Sequence, residues 1–135
     1  MLQLFRSSVS VFLMSLVIVL AFVITPRIGT GQVPLREYDT TLKKMFDAIQ
    51  SNSYDQFIAQ GDEKFKAGFT AKMFEGLSRQ MGPKLQQGYS VTFLTTLNQQ
   101  EYVVYVWKLV FKGVRDDYLI TLFIKDGYVS GFVTR

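Results

Sequence analysis

Hydrophobic positions along the chain change their spacing twice, and each change marks a different kind of structure. From residue 9 to residue 24 they are nearly continuous, VSVFLMSLVIVLAFVI, with only Ser10 and Ser15 polar and no charge between Arg6 and Arg27. From Tyr38 they recur at Leu42, Met45, Phe46 and Ile49, one stripe of a 3.6-residue period with Lys43, Lys44 and Asp47 turned away. That predicts a helix stopped by Ser51-Asn52-Ser53, a turn-forming cluster. A short second helix is predicted over residues 54–60, burying Phe57 and Ile58, with Gly61 able to end it. Thr70 is a suitable N-cap for a third helix running to about Met81. Its stripe is Met73, Phe74, Leu77 and Met81, and Gly82-Pro83 is expected to terminate it.

From Lys84 onward the period becomes two. Residues 88–97 place Tyr89, Val91, Phe93 and Thr95 on one face of a strand. In the next segment Val103, Tyr105, Trp107, Leu109 and Phe111 alternate with Tyr102, Val104, Val106, Lys108, Val110 and Lys112. The first set is bulky throughout and is expected to face the core; the second carries both lysines and faces outward or toward a partner. Residues 113–117 form a turn, residues 118–125 a third strand, and Asp126-Gly127 is a strong type I′ hairpin signal. Residues 128–134 close the sheet, with Gly131 marking a bulge or bend. Three helices followed by four antiparallel strands in a meander predict an α+β fold, helices packed on one face of a curved sheet.

The apolar segment adds a location. Arg6 and the terminal amine form the positive region of an export signal, and Gly29-Thr30-Gly31 offers small residues for cleavage after Gly31. The run also approaches the ~20 residues that span a bilayer, so an uncleaved anchor inserted through residues 9–24 is the alternative. Either way the expected organisation is a signal or anchor helix at 1–31, a linker at 32–37 and a folded domain at 38–135. That domain is expected outside the cytoplasm, either released or membrane-anchored.

Composition narrows the chemistry. The 135 residues contain neither cysteine nor histidine. Disulfides, thiolate nucleophiles, imidazole-based triads and most transition-metal sites are therefore excluded, and no metal or cofactor is expected. From Gln32 onward there are 13 basic and 11 acidic residues, so the folded part is near +2 despite a formal +4 overall. No basic stripe runs longer than Lys43-Lys44, which argues against nucleic acid as a partner.

Two further stretches carry a resemblance. Asn52-Ser53-Tyr54-Asp55-Gln56-Phe57 ahead of Phe69-Thr70 is one. The other is Trp107-Lys108-Leu109-Val110-Phe111-Lys112-Gly113 with Asp126-Gly127-Tyr128-Val129-Ser130-Gly131-Phe132. With these the region 38–135 resembles small exported bacterial domains of the nuclear-transport-factor-like (cystatin-like) superfamily. The resemblance implies a cone-shaped sheet around helices with a pocket inside. Members include isomerases, dehydratases and proteins that only bind; the dehydratase branch uses histidine, which this chain lacks.

Candidate site residues follow from the aromatic strand. Tyr105, Trp107 and Phe111, with Tyr89 on the neighbouring strand, are the candidate lining of a pocket for a small apolar ligand. The competing role for them is ordinary core. No catalytic set stands out: Asp116-Asp117 reads as a solvated turn and Asp62-Glu63 as the start of a helix. A non-enzymatic binding or interaction domain is thus the leading expectation, for an apolar ligand or an envelope protein, with a homodimer through the outward sheet face. The rival is an isomerase- or lyase-type enzyme, which would need a carboxylate inside the cone within reach of a tyrosine hydroxyl.

Overall fold

The structure is a computed structural model and describes residues 36–135. The apolar segment, the candidate cleavage position after Gly31 and most of the linker lie outside the described residues. Four helices, α1 (Asp39–Gln50), α2 (Tyr54–Ile58), α3 (Glu63–Gly68) and α4 (Ala71–Gln87), precede four strands, β1 (Tyr89–Gln99), β2 (Tyr102–Phe111), β3 (Asp117–Lys125) and β4 (Tyr128–Thr134). The strands form one antiparallel meander in the order β1-β2-β3-β4. Among the described residues no helix is long and apolar enough to cross a membrane.

The α1 stripe is buried as its spacing predicts, Leu42, Met45, Phe46 and Ile49 all being 3% exposed or less. Asn52 ends the turn after it in the left-handed region, φ 52°. One helix, α3, was anticipated only at its start, Asp62-Glu63, and was not counted among the three predicted helices. α3 starts where Asp62 accepts the backbone N–H of Phe65 at 2.7 Å, and six residues are too few for periodicity to reveal. Phe57 on α2 lies within 5.0–5.9 Å, ring to ring, of Phe65, Phe69, Phe74 and Phe132, joining three helices to β4.

α4 corrects the sequence reading twice. It continues through Gly82-Pro83 to Gln87, so the residues after Lys84 begin as helix rather than strand. It also buries Phe74, Ser78, Met81, Gly82 and Leu85, whereas Met73 is 52% exposed. The cause lies at the end of α1, where Ile49 O accepts only a long backbone bond, 3.3 Å from Asn52 N, and Gln50 O has no backbone donor. Ser78 Oγ donates to Ile49 O at 2.8 Å and Gln86 Nε2 to Gln50 O at 3.0 Å. Gly82 allows this approach, since a Cβ there would stand 3.3 Å from Ile49 O. These contacts and the burial of Leu85 outweigh the one helix bond that Pro83 cannot donate.

On β2, Trp107, Leu109 and Phe111 are buried as expected, while Val103 and Tyr105 are half-buried. Val104, assigned to the outward face, is only 2% exposed because Leu97 and Phe123 flank it across the ladder. On β1 the pairing moves from Phe93↔Trp107 to Thr95↔Val106, making Leu94 an extra residue. Thr95 therefore faces outward, not with Tyr89, Val91 and Phe93, because one inserted residue exchanges the two faces. A second shift opposite β4, between Phe123 and Ile124, accompanies Gly131. A Cβ at Gly131 would stand 3.1 Å from the Phe123 ring, so glycine lets that ring lie over the neighbouring strand. Asp126 and Gly127 take positive φ of 51° and 83°, as a type I′ turn requires.

Candidate functional site

α1 and the edge strand β1 diverge around a cleft of about 530 Å³. Its helical wall is Leu42, Phe46, Asp39, Lys43 and Arg36, residues that share one side of α1 and the turn before it. Its strand wall is Tyr89, Val91, Thr92 and Phe93, and Trp107 of β2 forms the floor. Two aromatic contacts bracket the opening. At one end Phe46 meets Tyr89 edge-on at 5.4 Å, and at the other the guanidinium of Arg36 lies 3.7 Å from the centre of the Phe93 ring.

Trp107 is held on three sides. Its Nε1–H donates to Asp39 Oδ1 at 2.9 Å, satisfying the one polar atom of a nearly buried indole. Tyr105 stacks on it at 5.9 Å and 21°, and Phe93 meets it edge-on at 5.9 Å. Asp39 is occupied at both oxygens, because Oδ2 accepts the backbone N–H of Arg36 at 3.0 Å. Lys43 is likewise engaged, reaching the two carboxylate oxygens of Asp47 at 3.1 and 2.8 Å. Burial raises the pKa of Tyr89 above the ordinary phenol value, with Lys43 opposing and Asp47 reinforcing, so its hydroxyl stays a neutral donor. Burial, then the charge of Glu37, raises Tyr105 as well, and Tyr38 beside it rises for the same two causes in the same order.

The four residues singled out from the sequence thus separate. Tyr89 and Trp107 border the cleft; Tyr105 lies behind Trp107, against Tyr38 at 4.7 Å. Phe111, 1% exposed, belongs to the core, packed edge-on against Tyr118 at 5.1 Å. Sequence reasoning missed Arg36, Asp39 and Phe93 as site residues and read Leu42 and Phe46 as core. The Asp39–Trp107 bond joins positions 68 residues apart, which no local spacing encodes.

The carboxylates singled out earlier have other partners. Asp62 caps α3 and accepts the Ser130 hydroxyl, and Asp117 lies 3.6 Å from Lys108 on the outward sheet face. Among the described residues the sole buried polar side chain is Ser78, and no cluster of acidic residues suited to a metal ion occurs. The Tyr54 hydroxyl donates to Phe69 O at 2.7 Å, and that of Tyr118 accepts from Lys84 at 3.1 Å.

No protein-family model and no curated protein matches the chain. Among solved structures it is similar to an NTF2-like protein of unknown function from Cytophaga hutchinsonii, at 10% identity and a TM-score of 0.39, over 73% of this chain and 88% of that one. A likeness at that score does not define the fold, which rests on the helix-then-meander order described above.

Proposed function

We propose that the region from residue 36 onward is an extracytoplasmic, non-enzymatic binding domain of nuclear-transport-factor-like fold that takes a small apolar ligand between α1 and β1. The observation that carries this reading is the cleft itself. Its volume of about 530 Å³ falls within the roughly 300–1,000 Å³ of small-molecule sites, and its walls are mainly aliphatic and aromatic with a few polar tips. An acid–base enzyme finds less support there, since the one carboxylate in the lining, Asp39, spends its oxygens on Trp107 and on backbone. The apolar, positively flanked segment at residues 9–24 is what supports the location. The outward sheet face, where Leu97 and Leu119 are each 44% exposed, suits a second copy of the chain or an envelope protein.

Trp107 is the only tryptophan, so its emission reports the cleft directly. With the full chain in phosphatidylcholine vesicles, octan-1-ol should shift that emission saturably. Val91→Phe, which adds bulk at a 36%-exposed position in the strand wall, should abolish the shift while leaving the circular dichroism unchanged. A non-saturating response, the same in both proteins, sinks the binding reading. Protease added outside sealed spheroplasts of an expressing bacterium should degrade the domain, and its survival there would refute the location.

A further inference from the structure

Resting on the reading of the α1–β1 cleft as a ligand site, we infer that its ligand is an amphipathic anion: an apolar body along the accessible strand wall of Tyr89, Val91 and Phe93, with an oxyanionic head held by the Arg36 guanidinium.

The inference comes from which polar groups at the cleft are already used. Both acceptor oxygens of Asp39 are taken, by the Trp107 indole N–H and by a backbone N–H. Lys43 is neutralised by Asp47 at 2.8 Å on the exposed side of α1. Arg36 differs. Its guanidinium rests over Phe93 at 3.7 Å, and among the described residues it forms no ion pair and no side-chain hydrogen bond. A guanidinium lying over a ring is oriented by it while its N–H groups stay available for oxygen. At the opposite end the Tyr89 hydroxyl, neutral at pH 7 as any phenol is, lines the cleft as a second donor. The cleft therefore offers a cation and a neutral donor at its ends; Asp39 keeps its negative charge, but its oxygens are turned to the N–H groups of Trp107 and of the Arg36 backbone.

That arrangement discriminates by charge. A carboxylate or similar oxyacid head gains charge-assisted hydrogen bonds from Arg36, a neutral head gains less, and an ammonium head meets like charge. The apolar strand wall contributes equally to all three, because it touches only the body of the ligand.

The test uses three molecules sharing one eight-carbon body, octanoate, octan-1-ol and octylammonium, at pH 7. Each is titrated against the full chain in phosphatidylcholine vesicles, with free concentrations measured and Trp107 emission as the readout. Octanoate should bind about tenfold tighter than octan-1-ol, the scale of one charge-assisted hydrogen bond, and octylammonium weakest. Arg36→Gln should bring octanoate to within about twofold of the alcohol measured in the same variant. Equal or tighter binding of the alcohol overturns the inference, as does an Arg36→Gln protein that still prefers octanoate tenfold. In both cases saturable alcohol binding, lost in Val91→Phe, leaves the cleft standing as a binding site. If none of the three saturates, the cleft reading and the anion inference fail together.

Discussion

Asp62 joins two parts of the molecule through three of its own atoms. Its backbone N–H donates to Val129 O at 2.9 Å, one carboxylate oxygen accepts from Phe65 N–H at 2.7 Å, and the other accepts from the Ser130 hydroxyl. The loop after α2 is thereby fixed to β4 and α3 is started in place. The Ser130 hydroxyl first, then the backbone N–H of Phe65, hold the carboxyl below the ordinary aspartate range. A depressed pKa in the folded state contributes stability that is full above the unfolded value, near ~4, and is lost as pH falls through the folded value. Asp62→Asn keeps a capping side chain but cannot titrate. The stability difference between the two proteins, from urea unfolding, should be constant above about pH 5 and shrink below about pH 4. Glu101, held low by Lys125, titrates in the same window in both proteins and cancels in the difference. Asp62→Ala should cost about 1 kcal/mol at pH 7 through loss of the cap. A difference that does not change with pH would show that the charged form is not favoured by folding. The sequence placed Asp62 at a helix start, and its bond to Ser130 spans 68 positions that only the closed sheet brings together.

Among the elements, the strands were the more legible because their period is two and their turns carry explicit chemistry. The alternation on β2 and the Asp126-Gly127 turn specify register without reference to the rest of the fold. Leu94 marks where that reasoning stops, since nothing in its neighbours announces an inserted residue. The helices were legible where an apolar stripe was long, as in α1. α4 was misread because its buried face is chosen by its partner: Ser78 and Gly82 lie inside to meet Ile49 O, positions that hydrophobicity alone assigns to solvent. Pro83 then sits in a helix held by tertiary contacts against its own propensity. Pro83→Ala restores a donor toward the carbonyl four residues earlier, and a proline inside a helix is about 3 kcal/mol less favourable than alanine. Loss of proline's restraint on the unfolded chain returns about 1 kcal/mol of that. A net gain of about 2 kcal/mol in urea unfolding is expected. A loss of stability would mean that the geometry proline imposes is needed to seat Gly82 against α1.

The whole molecule has two contrasting sheet faces, one packed against helices and one turned away from them. The outward face carries Leu97 and Leu119 beside the half-buried Val106 and Val110, with Val104 already covered by its neighbours. Its charges are few, and the Lys108–Asp117 pair at 3.6 Å is surface-exposed, of the kind that contributes little to stability. A face of this composition is favourable to bury, and a stable interface needs at least about 1,000 Å² in total, which a four-stranded sheet can supply. Leu119 is the sharpest place to test it. It lies opposite Lys108, pairs with the chain's last residue through backbone bonds of 2.8 and 3.0 Å, and projects outward at 44% exposure, so a polar replacement leaves the fold intact. Native mass measurement of protein recovered gently from the cell envelope should give twice the chain mass, or twice the mass of residues 32–135 if cleavage follows Gly31. Leu119→Glu places a carboxylate where its symmetry mate would have to be desolvated beside it, and should leave a single copy at concentrations on the order of tens of micromolar. A wild-type protein that is uniformly single under those conditions removes the second copy as occupant of this face, and a small molecule retained in the same spectrum would separately support the proposed ligand site.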